Sequence, residues 1–306
     1  MASTLQAYGY EETLAASEKV AWRLDDLLGP QHRLDFQKPF LPETLARVRP
    51  LDFLSEGEQL RLNQIRGHGY LYMFGLVEEF ILPFVLDHCR QGVAENHDRT
   101  RAFLQFAGEE AKHIELFRRF RREFEAGFPH PCEVIGPPEA VAEKVLGHHP
   151  LAVAITILHI EWMTQRHWVE AVQDDQDLDP RFKNLLKHHW LEEAQHAKLD
   201  TLMIQELALG CDSEELDQAV QEYLEIGAFL DQGLAQQVEF DLAALQLTTG
   251  RVLKEAEAQR LREIQHQANR WTFLGSGMSH PQFLATLESL KASFRKQLEQ
   301  VAPAFC

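Results

Sequence analysis

The stretch HWLEEAQH, at residues 189–196, lies in the middle of a helical segment that reads PRFKNLLKHHWLEEAQHAKLDTLMIQELALG at residues 180–210. Positions three and four apart share one face of an α-helix, so His189, Glu193 and His196 form a single stripe. The stripe starts after Leu186 and ends before Met203, and therefore interrupts a core-facing apolar seam. Buried imidazoles and carboxylates need a partner, and a metal ion is the simplest one.

A second segment carries the same Glu-x-x-His spacing at Glu110 and His113, inside an apolar seam of phenylalanines at positions 103, 106, 117 and 120. Two further helical segments each offer a lone glutamate. Residues 151–173 contain Glu161, and a long apolar segment ending near residue 91 contains Glu78 and Glu79. The apolar arc of that segment slightly favours Glu78 as the residue that faces the core, but either glutamate could be the ligand.

Four helices that present Glu, Glu-x-x-His, Glu and Glu-x-x-His are typical of carboxylate-bridged di-metal bundles. The sequence therefore predicts an all-α protein with a ferritin-like four-helix bundle over residues 55–209. Helices within 1–54 and 210–306 are expected to pack around it, so that residues 1–306 form one domain. Further helices are predicted at about 11–28, 43–48, 214–247, 252–274 and 281–300, and no segment shows the alternation of a strand.

Oxygen and nitrogen ligands favour iron or manganese, whereas thiolates would favour zinc or iron–sulfur clusters. Four carboxylates nearly neutralise two divalent ions and can bridge them. We therefore predict two iron ions, with manganese as the alternative. A third Glu-x-x-His, at Glu263 and His266, has Arg260, Gln267 and Arg270 on its face, which predicts a solvated helix surface and no metal.

The composition excludes several classes of function. The chain has 30 basic and 47 acidic residues, a net charge of −17, which argues against nucleic acids and anionic membranes as partners. The four cysteines are widely spaced and indicate reduced thiols in a cytoplasmic protein. We expect no secretory signal, and no apolar run close to the ~20 residues that span a bilayer.

Over residues 55–209 the chain resembles the p-aminobenzoate N-oxygenase family of di-iron oxygenases. The family's last bundle helix carries His-x-x-x-Glu-x-x-His, which His189, Glu193 and His196 match. Its other ligands correspond to Glu110 with His113, to Glu161, and to Glu78 or Glu79. The resemblance implies a three-histidine site that activates O2 and oxidises an amine nitrogen or a C–H bond of a small organic substrate, for example an aromatic amine.

Such an oxygenase needs electrons from an external reductant, because no flavin or nicotinamide motif is present. Two alternatives remain open: a ferritin-like iron-handling protein or ferroxidase, and a helical scaffold whose metal is structural or absent. The third imidazole, His189, argues against iron storage unless it is a buried histidine bonded to a backbone carbonyl. Bundles of this type often pair, so a homodimer is also expected.

Other residues are candidates for the surroundings of the metals. Asp200, one turn beyond His196, is predicted to hold the free imidazole N–H, with an ordinary salt bridge as the alternative. Gln165, one turn beyond Glu161, is a weaker candidate for the same kind of role. Four aromatic residues are candidates for an apolar substrate pocket, with core packing as the alternative: Tyr72, Phe106, Trp162 and Trp168.

Overall fold

The computed structural model describes residues 8–28, 33–94 and 96–306, and over these ranges the chain is helical and contains no strand. The helices are α1 (Tyr10–Val20), α2 (Leu24–Leu27), α3 (Glu43–Ala46), α4 (Glu56–Arg90), α5 (His97–Gly127), α6 (Pro138–Leu146), α7 (Pro150–His167), α8 (Pro180–Ala208), α9 (Ser213–Thr249), α10 (Glu255–Arg270), α11 (Ser276–Met278), α12 (Pro281–Leu290) and α13 (Ala292–Val301). The all-α class predicted from the sequence is confirmed.

The four helices α4, α5, α7 and α8 form the predicted bundle. Helix α4 packs along α5, α7 packs along α8, and the long helix α9 lies against both α4 and α7. The phenylalanine seam of α5 is fully buried and meets Phe40 and Phe182, whose rings stack at 5.2 Å between centroids. This aromatic layer fills one end of the bundle.

Several helices begin where the sequence predicts, because a side chain satisfies their first backbone N–H groups. Ser55 accepts from the Glu58 amide at 3.3 Å, and Glu58 reaches back to the Ser55 amide at 2.8 Å. Asp212 accepts from the amides of Glu214 and Glu215 at the start of α9. Pro150 occupies the first position of α7, as expected for a residue without an N–H to satisfy.

Three of the predicted helices outside the bundle are interrupted. The segment predicted at 11–28 divides into α1 and α2, because Trp22 turns inward and donates its indole N–H to the His188 carbonyl at 3.0 Å. Residues 29–32, which follow the predicted end of this segment, lie outside the described residues. The segment at 252–274 ends as a π-helical turn, Trp271–Gly275. Helix 281–300 breaks at the extended Lys291, whose ammonium reaches Asp217 on α9 at 2.6 Å.

Helix α4 differs from the expectation that no segment is apolar enough to cross a bilayer. By length and composition it is the one described helix that could, since an 18-residue window within it has a mean hydropathy of 1.5. Within the protein 67% of that window is buried. The central helix of a bundle is apolar on every side, and it therefore has the same high hydropathy as a membrane-spanning helix.

Candidate metal centre

Six of the predicted ligands meet in the middle of the bundle, contributed by α4, α5 and α8. They form two overlapping groups that share His113 and Glu193, and within each group the ligand atoms lie within 4.8 Å of one another. The first group is Glu78, His113, His189 and Glu193, and the second is Glu110, His113, Glu193 and His196. All six side chains are buried.

Glu193 connects the two groups through its two carboxylate oxygens. Its Oε1 lies 3.1 Å from Nδ1 of His113 and 2.7 Å from Nε2 of His189. Its Oε2 lies 2.9 Å from Nδ1 of His196. A carboxylate held in this way can bridge two ions, one on each oxygen.

The remaining carboxylates lie at the two ends of Glu193. Oε1 of Glu78 is 3.1 Å from Nε2 of His189 and 3.7 Å from Nδ1 of His113. Oε1 of Glu110 is 2.9 Å from Nδ1 of His196. The arrangement has a separate carboxylate and a separate imidazole at each end.

Many of these buried atoms are close together but not hydrogen-bonded. Among the described residues the following have no hydrogen-bond partner: Oε2 of Glu78, both oxygens of Glu110, Nδ1 of His113, Oε2 of Glu161 and Oε1 of Glu193. Buried polar atoms without partners are rare in native proteins, and an ion that they coordinate is one explanation. The donor set consists only of carboxylate oxygens and imidazole nitrogens, which fits iron or manganese.

The electrostatics of the metal-free cluster point to a missing positive charge. Burial, together with the nearby Glu110 carboxylate, raises the pKa of Glu78 to about 8. Burial and the Glu193 carboxylate raise the pKa of Glu161 well above its ordinary range. Burial opposes protonation of His113, yet Glu192 and Glu193 hold its pKa well above 6.5. The cluster therefore takes up protons where divalent cations would neutralise it.

The structure separates Glu78 from Glu79. Glu78 points into the cluster, whereas Glu79 is half-buried and pairs with Arg118 on α5 at 2.8 Å. Glu161, on α7, is buried beside Glu193 but lies outside the two groups. The seven remaining candidates, without Glu79, thus form one cluster of four glutamates and three histidines.

Two carboxylates that sequence reasoning missed hold the outward nitrogens of two histidines. Nε2 of His113 lies 2.7 Å from Oε2 of Glu192, and Nε2 of His196 lies 2.9 Å from Oε2 of Glu109. Each pair crosses between α5 and α8. The signal in the sequence is the doubling of the ligand-type glutamates, since Glu109 and Glu192 directly precede Glu110 and Glu193.

The prediction for Asp200 was therefore wrong, because Glu109 occupies the place beside His196 that Asp200 was expected to fill. Asp200 is fully buried, and neither of its oxygens has a hydrogen-bond partner within the described part of the chain. Burial raises its pKa well above the ordinary value. Gln165 also has another role, since its amide donates to the Trp190 carbonyl at 3.2 Å.

The four candidate pocket aromatics lie in different places. Phe106 stacks on His196 at 4.0 Å between ring centroids and so covers the cluster directly. Tyr72 lines a cavity between α4 and α5. Trp162 stacks on His280 at 4.8 Å, and Trp168 stacks on Trp190 at 5.4 Å. Neither tryptophan lines that cavity, and their stacking fits the alternative of core packing.

The third Glu-x-x-His lies on the surface of α10. His266 is 2.8 Å from Asp231 on α9, and the exposed Glu263 lies 3.7 Å from Arg260. The Glu263 contact is an exposed ion pair, and the His266 contact is a hydrogen bond between partly buried side chains. All four cysteines of the chain lie within the described ranges and are free thiols.

No protein-family model matches the chain, and no curated protein matches it. The chain is similar to solved structures of R2-like ligand-binding oxidases. A mutant with an Fe/Fe cofactor has 12% sequence identity and a TM-score of 0.45, over 87% of this chain and 92% of that one. A form with an Mn/Fe cofactor has 13% identity and a TM-score of 0.43 over the same shares. The resemblance to the p-aminobenzoate N-oxygenase family stays a prediction.

Proposed function

We propose that this protein is a di-iron oxidase that activates O2 and oxidises a small organic substrate, at an amine nitrogen or at a C–H bond. The observation that carries the proposal is the Glu193 carboxylate, whose two oxygens face two different histidine–glutamate groups in the buried interior. A structural site for one ion needs only one such group.

When bound, two iron ions would supply the redox chemistry that reduces O2, with electrons from an external donor protein or reductase. Glu78, Glu110, Glu161 and Glu193 would hold the ions together with His113, His189 and His196. Their four negative charges would balance two divalent ions. Manganese fits the same ligands and is the alternative metal.

Aromatic rings exclude water from the cluster. Phe74 and Phe117 meet the ring of His189 edge-on, at 5.2 and 5.1 Å between centroids. Phe106 covers His196 from another side. A dry, apolar surrounding limits side reactions with water during oxidation. It also strengthens every charge interaction inside it.

A cavity of about 70 Å³ lies between α4 and α5. Its walls include Tyr72, Ile114 and Phe117, and the Phe117 ring also meets the His189 ring. Arg118 and Arg121 line it together with Glu79, so its charged side chains carry a net positive charge. A substrate with an apolar body and an acidic group would suit these walls.

The test is the iron content per chain, followed by O2 consumption after anaerobic reduction. We expect about two irons in the wild-type protein, and loss of iron and of O2 consumption in His196→Ala. His266→Ala is the matched control, because it removes the histidine of the surface Glu-x-x-His and should change neither. A wild-type protein that contains no metal after growth with ample iron would refute the proposal.

Two measurements separate the proposal from its alternatives. A particle much larger than a dimer would favour an iron store. A melting temperature unaltered by chelation, with no loss of function in Glu110→Ala, would favour a helical scaffold.

A further inference from the structure

Helix α1 lies outside the four-helix bundle, yet one of its side chains reaches the metal centre. Ser17 is buried, and its hydroxyl donates to Oε1 of Glu109 at 2.5 Å. The other oxygen of Glu109 lies 2.9 Å from Nε2 of His196. A continuous chain of contacts therefore runs from α1, through a carboxylate of α5, to a metal-facing histidine of α8.

The turn after α1 makes a second chain of this kind. The carbonyl of Trp22 accepts from the Lys112 ammonium at 3.3 Å, and that ammonium lies 4.0 Å from the centre of the Trp22 ring. Lys112 also forms a short ion pair with Glu192. Glu192 in turn lies 2.7 Å from Nε2 of His113. The Trp22 ring also stacks almost parallel to the His113 imidazole, at 5.9 Å between centroids.

The outer partner of a metal-binding imidazole fixes the orientation of the ring and raises its basicity. A glutamate can do this only while its own carboxylate is held in place. Ser17, with help from Gln105 at 2.9 Å, holds the second oxygen of Glu109. Lys112, positioned by Trp22, holds the second oxygen of Glu192.

We infer that Ser17 and Lys112 are positioning residues of the metal centre, so that residues 10–22 are part of it although they lie outside the bundle. The inference rests on the proposed function, because it takes the histidines to be metal ligands. The two chains reach different histidines of the cluster. Loss of Ser17 should affect the ion beside His196, whereas loss of Lys112 acts through His113, which both groups share, and should affect both ions.

Helix α1 contains a matched control for Ser17. Thr13 lies one turn earlier and is equally buried, but its hydroxyl donates to the Gly9 carbonyl of its own helix at 2.7 Å. Thr13→Ala therefore removes a buried hydroxyl of α1 without touching Glu109. For Lys112 the control is Lys183→Met, since Lys183 is half-buried and donates to the Asp175 carbonyl at 2.6 Å.

The experiment is an anaerobic titration of each full-length variant with Fe(II) alone, with ⁵⁷Fe Mössbauer spectra of the loaded proteins. We expect Ser17→Ala to bind one of its two ions about 3- to 10-fold more weakly, less than the 10- to 100-fold typical when the outer carboxylate itself is lost. Only one of the two iron signals should change. Ser17→Thr, which keeps the hydroxyl, should restore wild-type binding, and Thr13→Ala should resemble the wild type.

Lys112→Met should weaken the binding of both ions and alter both iron signals, because His113 is shared by the two groups, while Lys183→Met should alter neither signal. Wild-type binding in Ser17→Ala or Lys112→Met, or an equal loss in the matched controls, would overturn the inference. These outcomes are distinct from a failure of the proposed function. If the proposed function fails, the wild-type protein itself binds no pair of Fe(II) ions.

Discussion

Replacing Glu78 by glutamine should make the metal-free protein more stable while it removes metal binding. Burial and the nearby Glu110 raise the pKa of Glu78 from 4.5 to about 8. Between these values the folded state binds a proton that the unfolded state has released, so stability falls as the pH rises through this window. At pH 7 the ionisation of Glu78 on unfolding accounts for about 3 kcal/mol of lost stability.

Glutamine has nearly the same shape but does not ionise, so Glu78→Gln escapes this loss. Its amide oxygen can still accept from His189, which lies 3.1 Å from Glu78 in the wild type. We expect the metal-free variant to be about 3 kcal/mol more stable than the metal-free wild type at pH 7, or ~6 °C in melting temperature. At pH 4.5 the two proteins should be nearly equal.

The assay is urea unfolding of chelator-treated protein at pH 4.5 and 7, combined with equilibrium dialysis against Fe(II). Glu79→Gln is the matched control, because Glu79 is the neighbouring residue and forms only a surface ion pair with Arg118. Its stability should change by less than ~1 kcal/mol and its iron binding should be unchanged. If Glu78→Gln instead loses about 3–5 kcal/mol, as a broken buried ion pair does, the cluster is a set of salt bridges and the reasoning fails.

Three further changes test other parts of the molecule. Glu193→Gln should reduce the iron content to near zero, because its two oxygens face both groups; a protein that keeps one full iron by elemental analysis would contradict the bridging role. Burial alone would raise the pKa of Glu206, but hydrogen bonds from its neighbours, among them Arg99 at 2.9 Å, lower it to about 2. This group stabilises the fold above pH 4.5, and the contribution is lost as the pH falls towards 2. Glu206→Gln should therefore cost about 1–2 kcal/mol in urea at pH 7, allowing for its partial exposure, and almost nothing at pH 2. Phe106→Ala should cost about 3–5 kcal/mol in the same assay, because the ring is fully buried against His196; a cost under ~1 kcal/mol would show that the site collapses to fill the space.

The spacing of glutamates and histidines along the sequence was sufficient to place most of the cluster. His189, Glu193 and His196 share a face of α8 because of helix geometry alone, and the same holds for Glu110 and His113 on α5. The apolar seams on either side of them then indicate which face is buried. These are local properties, so they can be read from the chain without knowing how the helices pack.

Contacts between helices could not be predicted in the same way. Adjacent residues on a helix point about 100° apart, so Glu78 and Glu79 both border the apolar arc, and the rotation of α4 against α5 decides between them. The rotation turns Glu79 towards Arg118. The places of Glu109 and Glu192 likewise depend on the register of α5 against α8, which no spacing within one helix encodes.

The charge of the cluster explains why such a site is tied to its metal. Four glutamates, with three imidazoles, lie in a dry interior where ionised carboxylates repel each other and lack water. Burial, followed by the neighbouring carboxylates, raises the pKa values of Glu78 and Glu161, so protons relieve part of this cost in the metal-free protein. Two divalent cations would offset the four carboxylates, because the two sets of charges are equal and opposite. The repulsion that destabilises the metal-free fold therefore adds to the affinity for the ions. A variant that removes the repulsion should have a more stable metal-free fold and a lower affinity for the ions.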